Sequence, residues 1–298
     1  MTVPFLLTFL LALASAPSDP ALAERIPQLL HAALSTDGES QKAATAEARQ
    51  IFLRRGLPTV AEVGDEAAYE FVVLTCSPGP EESRARVLAE AKRALARHAV
   101  PPDAVLYCEA RARQERVKAH AQRYPPTVPA LRDQIQRLYA SDQAVRQTEG
   151  FDIEKMTQVD REHAGPIEAI FEKHGVPTYE MVGVEAASMF VAMVQHQSPE
   201  LRRRVLPRLK AKVDAGQADA GDYAMVYDRS SREAGRKQLY GQNLECDGEV
   251  PTLQETPIEN EQGVDARRAR IGLVRLALYV RMVREWSPAL CPGAPPAK

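Results

Sequence analysis

Apolar residues recur at three- and four-residue intervals through most of the chain, and alternating strand-like patterns are scarce. The periodic stretches are rich in Ala, Leu, Glu, Arg and Gln, which lose little side-chain freedom in a helix. The pattern therefore predicts an all-α fold. One helix is expected near Glu185, where Ala186, Met189, Phe190 and Met193 share a face, with Gly175 and Pro177 punctuating the helix before it. Ser198-Pro199-Glu200 then reads as a helix start: Ser as N-cap, Pro in the first helical position, Glu favourable against the helix dipole. The basic run that follows, Arg202, Arg203, Arg204, Arg208, Lys210 and Lys212, reads as a solvated helix face. A last helix is predicted from about Val264 through Trp286. Between Leu239 and Gly263 the chain is rich in Gly, Pro, Asn and acidic residues and is expected to be irregular, which at that length marks a functional or mobile segment.

The pattern also repeats itself. Residues 51–74 (IFLRRGLPTVAEVGDEAAYEFVVL) and 170–193 (IFEKHGVPTYEMVGVEAASMFVAM) are identical at 12 of 24 aligned positions. Further on, Pro80-Glu81 meets Pro199-Glu200, and Ala104 to Tyr107 meets Ala224 to Tyr227. This implies two tandem duplicated helical-bundle units. Their boundary is expected at Tyr124 to Pro129, where three prolines in five residues break a helix.

The segment Val3 to Ala16 is apolar and uncharged, too short to span about 30 Å of hydrocarbon but of the length of a secretory signal. Small-x-small sites end at Ala16 and at Ala23. Pro17 makes the first the poorer cleavage site, so cleavage after Ala23 is favoured. The expected organisation is a signal peptide over 1–23, a degenerate helical repeat over 24–125, and a helical domain over 126–298. No Cys follows either site, so a lipid anchor has no attachment point, and no stable membrane anchor is expected after processing. The chain is read as exported, periplasmic or secreted.

Composition narrows the functions. With 38 Lys+Arg against 40 Asp+Glu, the formal net charge is −2, which disfavours nucleic acid as a partner. Aromatics make up only 6% of residues, with one Trp, so a stacking platform for sugars or bases is not expected. G-x-G-x-x-G, P-loop and G-x-S-x-G motifs are missing, and no cofactor is implied. Asp160 and His163 have the i, i+3 spacing of metal ligands, but no H-E-x-x-H accompanies them and no metal site is assigned.

What distinguishes the second unit is its polar residues: Asp142, Gln143 and Arg146; Asp160 and His163; Gln195 and His196; Asp228 and Arg229; Gln238, Tyr240 and Gln242; and Arg268. The first unit has Cys76 and Ser77 where the second has Gln195 and His196, and Cys108 and Glu109 where it has Asp228 and Arg229. The elements DQAVR (Asp142 to Arg146), GVPT-x-x-x-VG (Gly175 to Gly183), QH, DR, Q-x-YGQ (Gln238 to Gln242) and VDARR-x-x-x-GL (Val264 to Leu273) together resemble the bacterial domain-of-unknown-function family 6624. The resemblance covers roughly residues 130–285. It implies an all-α domain and supplies no activity.

If the two units fold alike and the QH and DR helices face each other, Cys76 and Cys108 lie close together. We expect a Cys76–Cys108 disulfide, which leaves Cys246 with Cys291; an even cysteine count suits an exported protein. The first unit is then structural and the second carries the site. His196 is the candidate base, with Asp228 to orient it. Arg146 and Arg229 are the candidate anion donors. Asp142, Gln143, Asp160, Gln195, Gln238, Tyr240, Gln242 and Arg268 complete the ligand-binding set. The leading expectation is binding of a small polar or anionic ligand or a peptide end. A His-based hydrolase or lyase is one alternative; a structural or interaction protein of the cell envelope is the other.

Overall fold

A computed structural model describes residues 16–286, apart from residues 36, 77–80, 147–151, 248, 249 and 256. The expected all-α class is what forms. The first half runs α1 (Pro20–Leu34), α2 (Gly38–Arg55), the single turn α3 (Val60–Val63), α4 (Asp65–Cys76), α5 (Glu81–Leu95) and α6 (Pro102–Arg123). The second follows the same order: α7 (Pro129–Arg146), α8 (Ile153–His174), the single turn α9 (Tyr179–Val182), α10 (Val184–Val194), α11 (Pro199–Asp214) and α12 (Ala220–Glu233). Two aligned glycine pairs have the same cause in both halves. Gly56 and Gly175 end α2 and α8 at φ +80° and +70°, while Gly64 and Gly183 end the single turns at +86° and +85°. Only glycine takes these values without a steric cost.

Each half buries its own core. Tyr69, Phe71, Val72, Val87 and Ala104 centre the first. Ile135, Phe171, Phe190, Met193 and Leu209 centre the second. Ser198 caps α11 as expected, accepting from the Leu201 N–H at 3.2 Å, with Pro199 in the first turn. The proline-rich boundary, whose last proline, Pro129, opens α7, is free of helix from Tyr124 to Val128. It is pinned to α9 instead, with the Thr127 and Val128 N–H groups donating to Glu180 and Met181 carbonyls. Among the described residues no helix is long and apolar enough to cross a membrane.

Two expectations for the C-terminal part are corrected. The segment from Leu239 to Gly263 is not wholly irregular: β1 (Leu244–Asp247) pairs antiparallel with β2 (Val250–Glu255), and a 3₁₀ turn covers Glu261–Gly263. The predicted helix from Val264 to Trp286 is broken into α13 (Val264–Arg270) and α14 (Leu276–Trp286). The break falls at Gly272, at φ +82°, where a Cβ would lie 3.0 Å from Gln114 Oε1 and 3.2 Å from Arg111 Cδ. The chain turns there because α6 of the first half is in the way. Gln114 donates to the Ile271 carbonyl at 2.8 Å.

Beyond the break, Arg275 reaches into the first half. Its guanidinium pairs with Asp103 at 2.6 and 3.0 Å and with Asp65 at 2.7 Å, and lies 4.1 Å from the Tyr69 ring centroid. Arg281 pairs with the wholly buried Glu70. Residues 264–286 are thus a strap laid over both units. The cavity that matters below lies underneath it.

Candidate functional site

The polar residues of the second unit do not form one cluster. They divide into three groups, set by helix face for Asp142, Arg146, Asp160, Asp228, Arg229 and Arg268 and by the path of the chain outside the helices for Gln195, His196, Gln238, Tyr240 and Gln242.

The first group gathers where α7, α8, α12 and the end of α10 meet. Asp142, almost fully buried, accepts from Arg146 Nε at 3.0 Å and from Gln143 Nε2 at 2.9 Å. Arg146 also pairs with Asp160. Burial pushes the Asp160 carboxyl up, and Arg146 opposes it. His196, half-buried just past α10, receives Arg229 Nη1 at Nδ1, 3.4 Å away. Burial and the charges of Arg146 and Arg229 push its imidazole down to about 4, so it is neutral at physiological pH. A guanidinium can only donate, so Nδ1 accepts and the proton sits on Nε2. In that tautomer His196 is a donor, and its lone pair is occupied. His163 stands apart, its Nε2 on Ser141 Oγ at 2.9 Å.

One residue of the basic run belongs here, contrary to the solvated-face expectation. Arg202 is only 3% exposed; it donates to the Gln195 and Gln197 carbonyls at 2.8 Å each and pairs with Glu233. It satisfies carbonyl groups that the end of α10 leaves open. Glu233 also accepts from Arg229 Nε at 3.1 Å. Arg146, Arg202 and Arg229 thus face Asp142, Asp160 and Glu233, and the group is neutral and internally bonded.

The second group is a loop cradle. Asp228, expected beside His196, lies one helix position away from Arg229 and faces the other direction. Its carboxylate accepts the backbone N–H groups of Leu239 (2.7 Å), Tyr240 (3.1 Å) and Gln242 (2.9 Å). Asp228 therefore shapes the Q-x-YGQ turn and does not orient the imidazole. Burial pushes its carboxyl up while those N–H groups hold it down. Gln238, also wholly buried, brackets the turn by donating to the Asn243 carbonyl at 2.7 Å and accepting its N–H at 2.8 Å. Tyr240 packs edge-on against Tyr223 and Tyr227, with ring centroids 5.9 Å apart. Gly241, at φ +68°, lies where a Cβ would come within 2.9 Å of Ile258 and Leu276. The turn can hold its path only with glycine there.

The third group lines cavities. A space of about 530 Å³ opens between the two halves, bounded by α1, α4, α6, the start of α12, the turn and the strap. A second, of about 320 Å³, adjoins it and shares Gly221, Gln242 and Tyr279. Gln242 and Arg268 line the larger space, and Gln195 and Gln242 the smaller. The Gln242 backbone is held from both sides, its N–H by Asp228 and its carbonyl by Tyr279 Oη at 3.0 Å.

Arg268 is the largest wholly buried side chain among the described residues. Nε donates to the Val274 carbonyl at 2.6 Å, Nη1 donates to the Tyr240 carbonyl, and the group lies 4.7 Å from the Tyr279 ring centroid. Nη2 is buried with no hydrogen-bond partner, and among the described residues no carboxylate pairs with it. Burial pulls this guanidinium down to about 10.

Several residues here escaped the sequence reading. Tyr279 and Asp222 belong to the second unit; Oδ2 of Asp222 is unpartnered, and burial together with Asp219 pushes its carboxyl up to about 7. Arg111 and Glu115, paired at 2.8 Å, come from the first unit, which was expected to be structural only. By alignment they face Ser231 and Gly235. Listing the polar residues present in the first copy alone would have found them.

The Cys76–Cys108 disulfide forms as expected, with Cα atoms 5.6 Å apart and both residues wholly buried. The side chain of Cys246 and all of Cys291 lie outside the described residues, as do residues 1–15 of the expected leader. The model of a family of unknown function, DUF6624, matches residues 129–288. No curated protein and no solved structure matches.

Proposed function

The chain belongs to DUF6624, a family of unknown function, so its role has to be argued from its own side chains, and we propose that it binds a small anionic ligand in the cavity between its two halves. The observation that carries this is Arg268. A wholly buried guanidinium without a carboxylate and with one nitrogen unpartnered is costly, because a buried charge needs a counter-charge or a full set of hydrogen bonds. The side chain lines a cavity large enough for a small molecule. A ligand carboxylate supplies both the missing charge and the missing acceptor.

The His196 end has the opposite character. Its charges cancel in ion pairs among its own members and the imidazole lone pair is taken by Arg229; Arg202 Nε is buried without an acceptor, but the Arg202 charge is paired with Glu233. We assign it the structural role of holding α7, α8, α10 and α12 together. A His-based hydrolase finds no support in this arrangement, because Asp228 lies with the turn. Export is part of the proposal, supported by the apolar leader and by a buried disulfide of the kind oxidising compartments maintain.

The test is a thermal-shift and calorimetric screen of small carboxylates and phosphates against the wild type, Gln242→Glu and His196→Ala. Gln242→Glu places a carboxylate in the cavity and repels or replaces the anion. The expected result is anion-dependent stabilisation that Gln242→Glu abolishes and His196→Ala retains. The reverse pattern moves the site to the His196 end and refutes the proposal.

A further inference from the structure

Resting on the reading of Arg268 just given, we infer that the ligand is an amphiphilic monocarboxylate, a carboxylate head on an apolar chain. The head is received by Arg268 beside Gln242, and the chain runs along the wall that the first unit supplies.

The charge requirement follows from what else lines the cavity. Arg111 is neutralised by Glu115 at 2.8 Å, whereas Arg268 has no carboxylate in direct contact and is offset only at longer range by Asp265 and Asp228. One negative charge balances it. A dianionic phosphate leaves a second negative charge beside the Glu115 carboxylate with nothing to pair it. On Arg268 the donor without an acceptor is the buried Nη2, since Nε and Nη1 already hold backbone carbonyls; Arg111 Nε, on the same cavity, also lacks one.

The shape requirement follows from the opposite wall. Leu30 and Ala33 of α1, Val73 of α4, and Leu278 and Met282 of α14 line the cavity without a polar side chain among them. A small hydrophilic anion leaves that wall facing water, whereas a hydrocarbon chain buries it. Arg268 and Gln242 thus form the polar end of the site and side chains of α1, α4 and α14 its apolar end, with the Arg111–Glu115 pair of the first unit lining the space as well. This gives the first unit a part in recognition, although it lacks the second unit's polar set.

The experiment is isothermal titration of the full chain with hexanoate, octanoate and decanoate below their micelle concentrations, with decanol, decyl phosphate and acetate as comparators. One-to-one binding is expected, tightening about fourfold per added methylene. Decanol and decyl phosphate are expected to bind at least tenfold more weakly than decanoate. Ala33→Phe fills the apolar end and is expected to remove the chain-length dependence; Met282→Trp serves the same purpose from α14 if Ala33→Phe does not fold. Equal affinity for hexanoate and decanoate, or for decanol and decanoate, overturns the inference, and tighter binding of decyl phosphate overturns the monocarboxylate head. If acetate stabilises the protein in a Gln242→Glu-sensitive way while decanoate binds no better, the inference falls and the proposed function stands. If no anion acts through Gln242, both fall.

Discussion

Removing the Cys76–Cys108 bond is the perturbation whose size follows most directly from the structure. The bond joins the last residue of α4 to α6 and closes a loop with a sequence separation of 32. Cross-linking a loop of that length removes enough freedom from the unfolded chain to stabilise the fold by about 4 kcal/mol. For a chain of this size that is a drop in midpoint temperature on the order of 10 °C. Two versions of the experiment separate the bond from the atoms. Wild type in a thiol reductant loses the link and keeps both sulfurs; Cys76→Ala/Cys108→Ala loses both, and because each residue is wholly buried it adds a packing defect. Urea denaturation followed by circular dichroism is expected to rank oxidised wild type above reduced wild type, and reduced wild type above the double variant. Non-reducing peptide mapping should recover the Cys76 peptide joined to the Cys108 peptide. A double variant within about 1 kcal/mol of oxidised wild type, or a Cys76 peptide joined elsewhere, refutes the reasoning.

Asp228→Asn puts an amide opposite three backbone donors; it is expected to cost about 2–3 kcal/mol and to speed hydrogen exchange at Leu239, Tyr240 and Gln242 while amides of α10 stay protected. His196, with a folded pKa pushed down to about 4 against about 6.5 when unfolded, holds its stabilisation above pH 6.5 and loses it as pH falls towards 4. His196→Gln should flatten that acid limb in a pH series of denaturation midpoints, and an unchanged limb counts against a buried neutral imidazole. At the N-terminus, Asp19 caps α1, pairs with Arg55 at 2.6 Å and donates its N–H to the Glu62 carbonyl, while Leu22 and Ala23 pack on the first core. Cleavage after Ala23 removes that turn. If the leader is removed as proposed, N-terminal sequencing is expected to find a start upstream of Ser18, at the Ala16 site and not at the Ala23 site that the sequence alone favours.

Much of the helix order was legible because local signals and burial agreed. Ser198-Pro199 opens α11, the glycines after α2, α3, α8 and α9 stop them, and Tyr124 to Pro129 separates the halves. The disulfide was legible because the helices carrying QH and DR do pack on each other, α10 against α12, and their counterparts α4 and α6 do the same, which brings the two cysteines together. The site was only half legible. Spacing along a helix did not show that adjacent Asp228 and Arg229 would face different partners, because that depends on where the Q-x-YGQ turn returns. Nor did it show the break at Gly272, which is imposed by Gln114 and Arg111 more than a hundred residues earlier. The value of Arg268 was invisible for the same reason. In sequence it is one arginine in DARR, and only its burial without a carboxylate sets it apart from Arg267, which holds the carbonyls of Leu239, Glu259 and Asn260.

The strap has a consequence for how the molecule comes apart. Ala269 and Leu278 belong to the first core and Ile271 to the second, so one short stretch of chain is a member of both. Lys118 and Asp219, 3.1 Å apart, add a direct tie between the halves. Two separate bundles joined by a linker melt in two steps. Here neither half can loosen without uncovering residues of the other, and calorimetry should record one cooperative transition for the whole chain. A chain cut at Gly263 should lose that cooperativity in both halves at once, since the cut removes the element they hold in common.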